Sequence, residues 1–264
     1  MSKQALWVLR QVGAVVLGVF IYFRVRGLTS ANPDVALDHA NDILAFEHGL
    51  GLDKEHAIQG LAHGATDPLV DLANWVYIWG HWPVIITVMV WLATRHRVVF
   101  LRLRNAMFVS GGIGLVIFAL YPVAPPRLTM LGYIDTVTER SEAYRVLQPP
   151  AFVNPYAAMP SLHVGWDLLV GIAVVTAASG VLLRWIGCLM PLLMGAAVVL
   201  TANHYLIDGI AGAALALVGL GVAVWYERSG EQLAAKQLAR LPLPLPHPRR
   251  PADDHARAPG AMAS

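Results

Sequence analysis

The sequence predicts an all-α membrane protein that crosses the bilayer six times, and three observations lead there. Of 264 residues, 56% are hydrophobic and only 14% charged, a balance wrong for a soluble domain and right for a polytopic membrane protein. Six apolar runs follow one another along the chain. The basic residues fall mainly on alternate connections between those runs, as the positive-inside rule requires.

The first run, residues 6–23, follows Lys3 and carries Arg10 early. No small-residue cleavage site follows it, so it reads as an uncleaved anchor and not as a secretory signal. Residues 24–67 form a polar first outer loop. Within it, Asn32-Pro33-Asp34 offers a cap, a proline for the first turn and an early acid. Ala36, Leu37, Ala40, Ile43 and Leu44 keep helical spacing until Gly49 and Gly51. A second short piece around Ala57, Ile58 and Leu61 repeats the pattern. Both are expected to be surface helices lying on the membrane.

Asp67-Pro68 opens the second run, 69–92, with Trp75 and Trp91 at its ends, Trp79 and Trp82 inside and His81 near the middle. The tryptophans at the ends suit interfacial belts. His81 is read as hydrogen-bonded to a neighbouring helix, with a supporting place beside a site as the alternative. Arg95, Arg97, Arg102 and Arg104 form a basic connection to the third run, 105–121, where Gly111, Gly112 and Gly114 allow close helix packing. Residues 122–160 form a long, proline-bearing outer loop. Connections of that length are usually lids or binding loops, and Phe152, Tyr156 and Met159 are candidates to line it. The last three runs are 162–179, 185–200 and 206–226. A six-span domain over 1–226 is therefore expected, followed by a cytoplasmic tail, 227–264, polar and then proline-rich, which is expected to be largely disordered, from about His247 onward. Cys188 is the lone cysteine. It excludes a disulfide framework or thiolate cluster and reads as a small buried hydrophobe. The basic residues sit beside apolar runs and are not interleaved with exposed aromatics, which argues against a nucleic-acid partner. Six crossings place both termini in the cytoplasm of a multi-pass plasma-membrane protein, with loop 122–160 and the turn at 201–205 facing outward.

Counting crossings gathers scattered polar residues at one depth on the outer side. Arg127 follows the third run, Ser161 and His163 open the fourth, and His204 and Asp208 open the sixth. Ionisable groups beside apolar spans are costly and usually functional. His204 and Asp208 stand four apart, so the carboxylate can hold one ring nitrogen and leave the other free to attack. Pro160 suits the first turn of the fourth helix and leaves the N–H groups of Ser161, Leu162 and His163 outward as an anion site. Arg127 has a planar fork matched to phosphate oxygens, and His163 could protonate a departing oxygen. The suited chemistry is phosphoryl transfer. Asp167, four after His163, is expected either to hold that imidazole or to pair with another helix.

Three motifs carry a family resemblance: Tyr121-Pro122-Val123-Ala124-Pro125-Pro126-Arg127, Pro160-Ser161-Leu162-His163 and Asn203-His204-Tyr205-Leu206-Ile207-Asp208. In order and spacing they resemble the motifs of the type 2 phosphatidic acid phosphatase (PAP2) superfamily, and more narrowly its inositol-phosphorylceramide-synthase-like branch. The resemblance implies a six-span helical fold, a catalytic His204–Asp208 pair with His163 as acid, and no cofactor or metal. Asn203 and Tyr205, beside His204, become candidates for supporting roles. The sequence departs from the commoner motifs at Leu120, Leu162 and Val198, where those carry lysine, glycine and arginine. Two phosphate-binding cations are thus missing. Either other groups such as Arg140 and Arg145 replace them, or the site takes a less charged phosphodiester. The expected activity is hydrolysis of an outer-leaflet lipid phosphate through a phosphohistidine. Transfer of a phospho-headgroup, such as phosphoinositol, between lipids is the alternative. Two rivals of other classes are weaker. A metal hydrolase would use His163, His204 and Asp208 as ligands, but Arg127 and the helix N-terminus already satisfy an anion. A transporter would need polar residues along a path through the bilayer, and only His81 lies deep.

Overall fold

The structure is a computed structural model and describes residues 3–28, 32–65, 67–140 and 154–239. Ten α-helices are found there: α1 Lys3–Leu28, α2 Pro33–Leu50, α3 Glu55–Ala65, α4 Asp67–Trp79, α5 Trp82–Arg95, α6 Arg97–Leu120, α7 Thr136–Arg140, α8 Leu162–Ala177, α9 Val181–Leu200 and α10 Leu206–Ala239. No strand occurs among the described residues, where Val123 and Ala157 form an isolated parallel bridge. By contacts the chain divides into two units, 1–227 and 228–264. In the second, the helix continues to Ala239, so the polar stretch after Glu227 is not an abrupt end to regular structure. The proline-rich run from 241 lies outside the described residues.

Three helices are long and apolar enough to cross a membrane: Arg97–Leu120, Val181–Leu200 and Leu206–Gly230. A fourth crossing exists if Pro68–Trp79 and Trp82–Arg95, bent by 45° at their junction, count as one. Leu6–Tyr22 and Leu162–Ala177 are apolar but shorter. Several apolar helices of this kind are consistent with a multi-pass membrane protein. Their outward side chains fit that setting: Leu9, Val16 and Phe20 of α1, Ile86 and Val90 of α5, and Leu182, Trp185 and Leu192 of α9 are all exposed, an apolar surface far beyond what water tolerates. Cys188 lies on this exposed face of α9. The expectation that it is buried fails because Gly187, one residue earlier, takes the inward position against α8.

Helix α8 is the hub, packed against α5, α6 and α9. The core around it includes Leu92, Phe100, Leu103, Trp166, Leu169 and Val170. Small residues set the spacing. Gly111 lies under the Trp166 ring, and Gly114 under Leu162. Between α8 and α10 the approach is closest: a Cβ on Gly212 would run into the Ser161 carbonyl oxygen and stand 2.8 Å from its carbon.

The segment with α2 and α3 is more than a surface ornament. Asn32 caps α2 through the Asp34 N–H, and Gly51 ends it at φ 69°. Ala36, Ala40 and Ile43 of α2 pack into a cluster with Val123, Ala124, Ala158 and Tyr205. That cluster joins the N-terminal third to the first and third motif segments and to Ala158, two residues before the second.

Candidate active site

Ser161 is the N-cap of α8, its hydroxyl accepting from the Val164 N–H at 3.4 Å. Pro160 therefore precedes the cap and is not in the first turn. The Ser161 N–H does not face outward either, since it donates to the Asp208 carbonyl at 2.9 Å. The expected anion donors shrink to the first-turn N–H groups of Leu162 and His163, for which the helix itself offers no acceptor. In exchange, that hydrogen bond and Gly212 tie the start of α8 to the start of α10.

The turn before α10 is built for one side chain. The Thr201 hydroxyl donates to the Ala197 carbonyl, and Ala202 adopts φ 53°, a left-handed conformation that costs a non-glycine residue about 1 kcal/mol or more. The N–H groups of Asn203 and His204 both reach back to the Val198 carbonyl, at 3.0 and 3.2 Å. His204 is thus in the turn and not on the helix. Its Nδ1 lies 2.8 Å from the Ala158 carbonyl and 3.4 Å from Asp208 Oδ2. A carbonyl can only accept, so Nδ1 carries the proton and Nε2 of the neutral ring keeps its lone pair. Asp208 Oδ2 also accepts from the Tyr205 N–H at 2.9 Å, as the third residue of a helix does when it reaches back to the cap. Tyr205, fully buried, donates its hydroxyl to the Ala124 carbonyl at 3.1 Å.

The next two N–H groups of α10 are capped from far away. Leu206 donates to Glu55 Oε1 at 2.8 Å and Ile207 to Glu47 Oε1 at 2.7 Å. Carboxylates suit the positive end of a helix dipole, but three buried around one helix start repel one another. Burial, together with the neighbouring Glu55 and Asp208 carboxylates and against the Ile207 N–H, raises the pKa of Glu47 to about 8. That direction favours a protonated Glu47, which lowers the charge of the cluster.

Arg127 closes the site from the loop. Its Nε donates to Asn203 Oδ1 at 2.9 Å, its Nη1 to Asp135 Oδ2 at 3.2 Å and its backbone N–H to the Ala202 carbonyl at 3.0 Å. An open cavity of about 670 Å³ has Arg127, Asn154, His163, Asn203, His204 and His81 on its walls, along with Tyr22, Tyr77, Trp82, Phe118 and Trp166. The His163 and His204 ring centroids are 5.7 Å apart. Of the two partners open to Asp167, the structure gives the one on another helix: its Oδ1 accepts from His81 Nδ1 at 2.9 Å. Among the described residues no group of three His, Cys, Asp or Glu side chains is arranged to hold a metal ion.

The family model of the PAP2 superfamily matches residues 41–222. The chain belongs to the PAP2 superfamily. Neither the curated proteins nor the solved structures returned a match. Membership points to phosphatase or phosphotransferase activity on lipid phosphates.

The three departures from the commoner PAP2 motifs have structural places. Leu120 is exposed at the end of α6, Leu162 is buried against Gly114 while lining the cavity, and the Val198 side chain is buried while its carbonyl holds the turn that carries His204. Arg145 and Phe152 lie outside the described residues, as does the side chain of Arg140. Glu47, Glu55 and the Ala158 carbonyl escaped the sequence reading. A signal for Glu47 existed: with Ala36, Ala40 and Ile43 it continues the buried stripe of α2, where a carboxylate demands a partner. The carbonyl had none.

Proposed function

We propose that this PAP2 protein is a six-span plasma-membrane enzyme that hydrolyses an outer-leaflet lipid phosphate through a phosphohistidine. The observation that carries the reading is His204, whose Nδ1 proton is committed to the Ala158 carbonyl beside Asp208, in a cavity shared with His163 and Arg127. Nε2 of His204 attacks phosphorus, and the bond to the lipid oxygen breaks as His163 protonates that oxygen. Arg127 and the first-turn N–H groups of α8 take the charge on the phosphoryl oxygens. Asp208 stabilises the imidazolium character of His204 during attack. Water then attacks phosphorus and gives its proton to His163 while the bond from phosphorus to His204 Nε2 breaks, which releases inorganic phosphate and restores the neutral imidazole.

A second reading, transfer of a phospho-headgroup to a lipid hydroxyl, is favoured by the aromatic walls and by there being one arginine on them among the described residues, already facing Asp135. Excluding water protects a phosphohistidine for an alcohol acceptor. A labelled lipid phosphate incubated with excess diacylglycerol, ceramide or inositol separates the two. Hydrolysis predicts label in free phosphate at a rate the added alcohol does not change. Label reaching the alcohol first establishes the transferase.

Orientation rests on the arginine bias, which puts both termini in the cytoplasm and the site outside. Met130, in the long loop, is 98% exposed. A Met130→Cys variant in a Cys188→Ala background is expected to react with an impermeant thiol reagent applied to intact cells. Labelling only after lysis reverses the orientation.

A further inference from the structure

His81 and Asp167 form an ion-pairing couple, 2.9 Å apart and 3% and 1% exposed, that the chemistry above does not use. A buried pair of this kind gains little over well-packed apolar side chains, so stability alone is a weak reason for it. The backbone is bent to deliver it as well. The helical path breaks between α4 and α5 at Gly80 and His81, with His81 at φ −95° and ψ −91°. A Cβ on Gly80 would collide with the Val76 carbonyl oxygen. Broken helices among apolar spans occur where irregular backbone lines a cavity, and His81 lines this one. Its ring lies against His163, with centroids 4.4 Å apart, while the Tyr77 ring stacks on His163 at 4.7 Å and 25°.

We propose that His81 and Asp167 are a positioning pair for His163, the break at Gly80 existing to bring the His81 ring against it. The Asp167 carboxylate can only accept, so it fixes the His81 ring with the proton on Nδ1. The fixed ring then limits the tilt of the His163 imidazole, which governs proton delivery to the departing oxygen. Asp167 acts at one remove, through His81, although it shares a helix face with His163. This inference rests on His163 being the general acid.

The test uses leaving-group dependence, which a merely structural role would not move. An alkoxide needs its proton during departure, whereas 4-nitrophenolate leaves without one. The full-length enzyme in detergent is compared on dioctanoyl phosphatidic acid and on 4-nitrophenyl phosphate. The variants are His163→Ala, Asp167→Asn and the apolar double His81→Leu/Asp167→Leu, which leaves no unpaired buried charge. The double variant is expected to lose about 10²-fold in kcat/KM, which reports leaving-group departure and not the later attack of water, on the lipid phosphate and less than about 3-fold on the aryl ester, as a weaker copy of His163→Ala. Asp167→Asn keeps an acceptor for His81 and is expected to lose less on the lipid, with the same selectivity. Selective loss in His163→Ala beside unchanged selectivity in the double variant overturns the positioning role alone. Equal losses on both substrates in His163→Ala overturn the acid assignment and this inference with it.

Discussion

The His204→Ala variant is expected to lose turnover by about 10⁴-fold or more, the scale seen when a nucleophile is removed from a covalent mechanism. No other imidazole can replace it. The His163 ring is centred 5.7 Å from it and belongs to a different helix start, and the His81 ring is held by Asp167. Quenching during turnover on a phosphorus-labelled lipid should trap an acid-labile, base-stable phosphoprotein in the parent and none in the variant. Folding is checked separately, because Ala158 loses the donor on its buried carbonyl at a cost of about 1–3 kcal/mol. A His204→Ala protein that remains folded and turns over at the parental rate removes the nucleophile assignment, and the phosphohistidine goes with it.

Gly212→Ala comes next in expected effect, although this residue touches no substrate. Its missing Cβ is what lets the second turn of α10 approach the backbone of Ser161. The offending atom is backbone, so no side chain can swing away. The two helix starts must separate, stretching the bond from the Ser161 N–H to the Asp208 carbonyl and widening the gap between His163 and His204. A displacement near 1 Å in a catalytic constellation costs about 10²-fold. Activity of the purified variant, normalised to folded protein, is the measurement. Parental activity would show that the two helices need not be this close.

The legibility of this molecule in its sequence divides along a physical line. Side chains with their own signature were readable: His163, His204 and Arg127 lie at the ends of apolar runs, and the structure gathers them on one cavity. Helix caps with standard chemistry were readable too, as at Asn32 and Gly51. Partners supplied by the backbone were not. The Ala158 carbonyl that orients His204, and the Asp208 carbonyl that takes the Ser161 N–H, have no residue type to announce them. The break at Gly80 was hidden for a related reason, since an apolar run continues through it and hydropathy is blind to a bend. Asp167 shows the limit of helical spacing. Its position four after His163 puts the two on one face, but its carboxylate accepts from His81 Nδ1 across the helix gap at 2.9 Å.

The remote caps on α10 bear on how the protein is made. The acceptors for its first two N–H groups come from residues 151 and 160 positions earlier in the chain. A nascent chain places Glu55 and Glu47 at the membrane long before Leu206 and Ile207 leave the ribosome, and until then those two carboxyl groups await their donors. The turn that carries His204 takes this form once α10 has docked against Glu55 and Glu47. On the proposed function, activity then reports that the first and last thirds of the polypeptide have met.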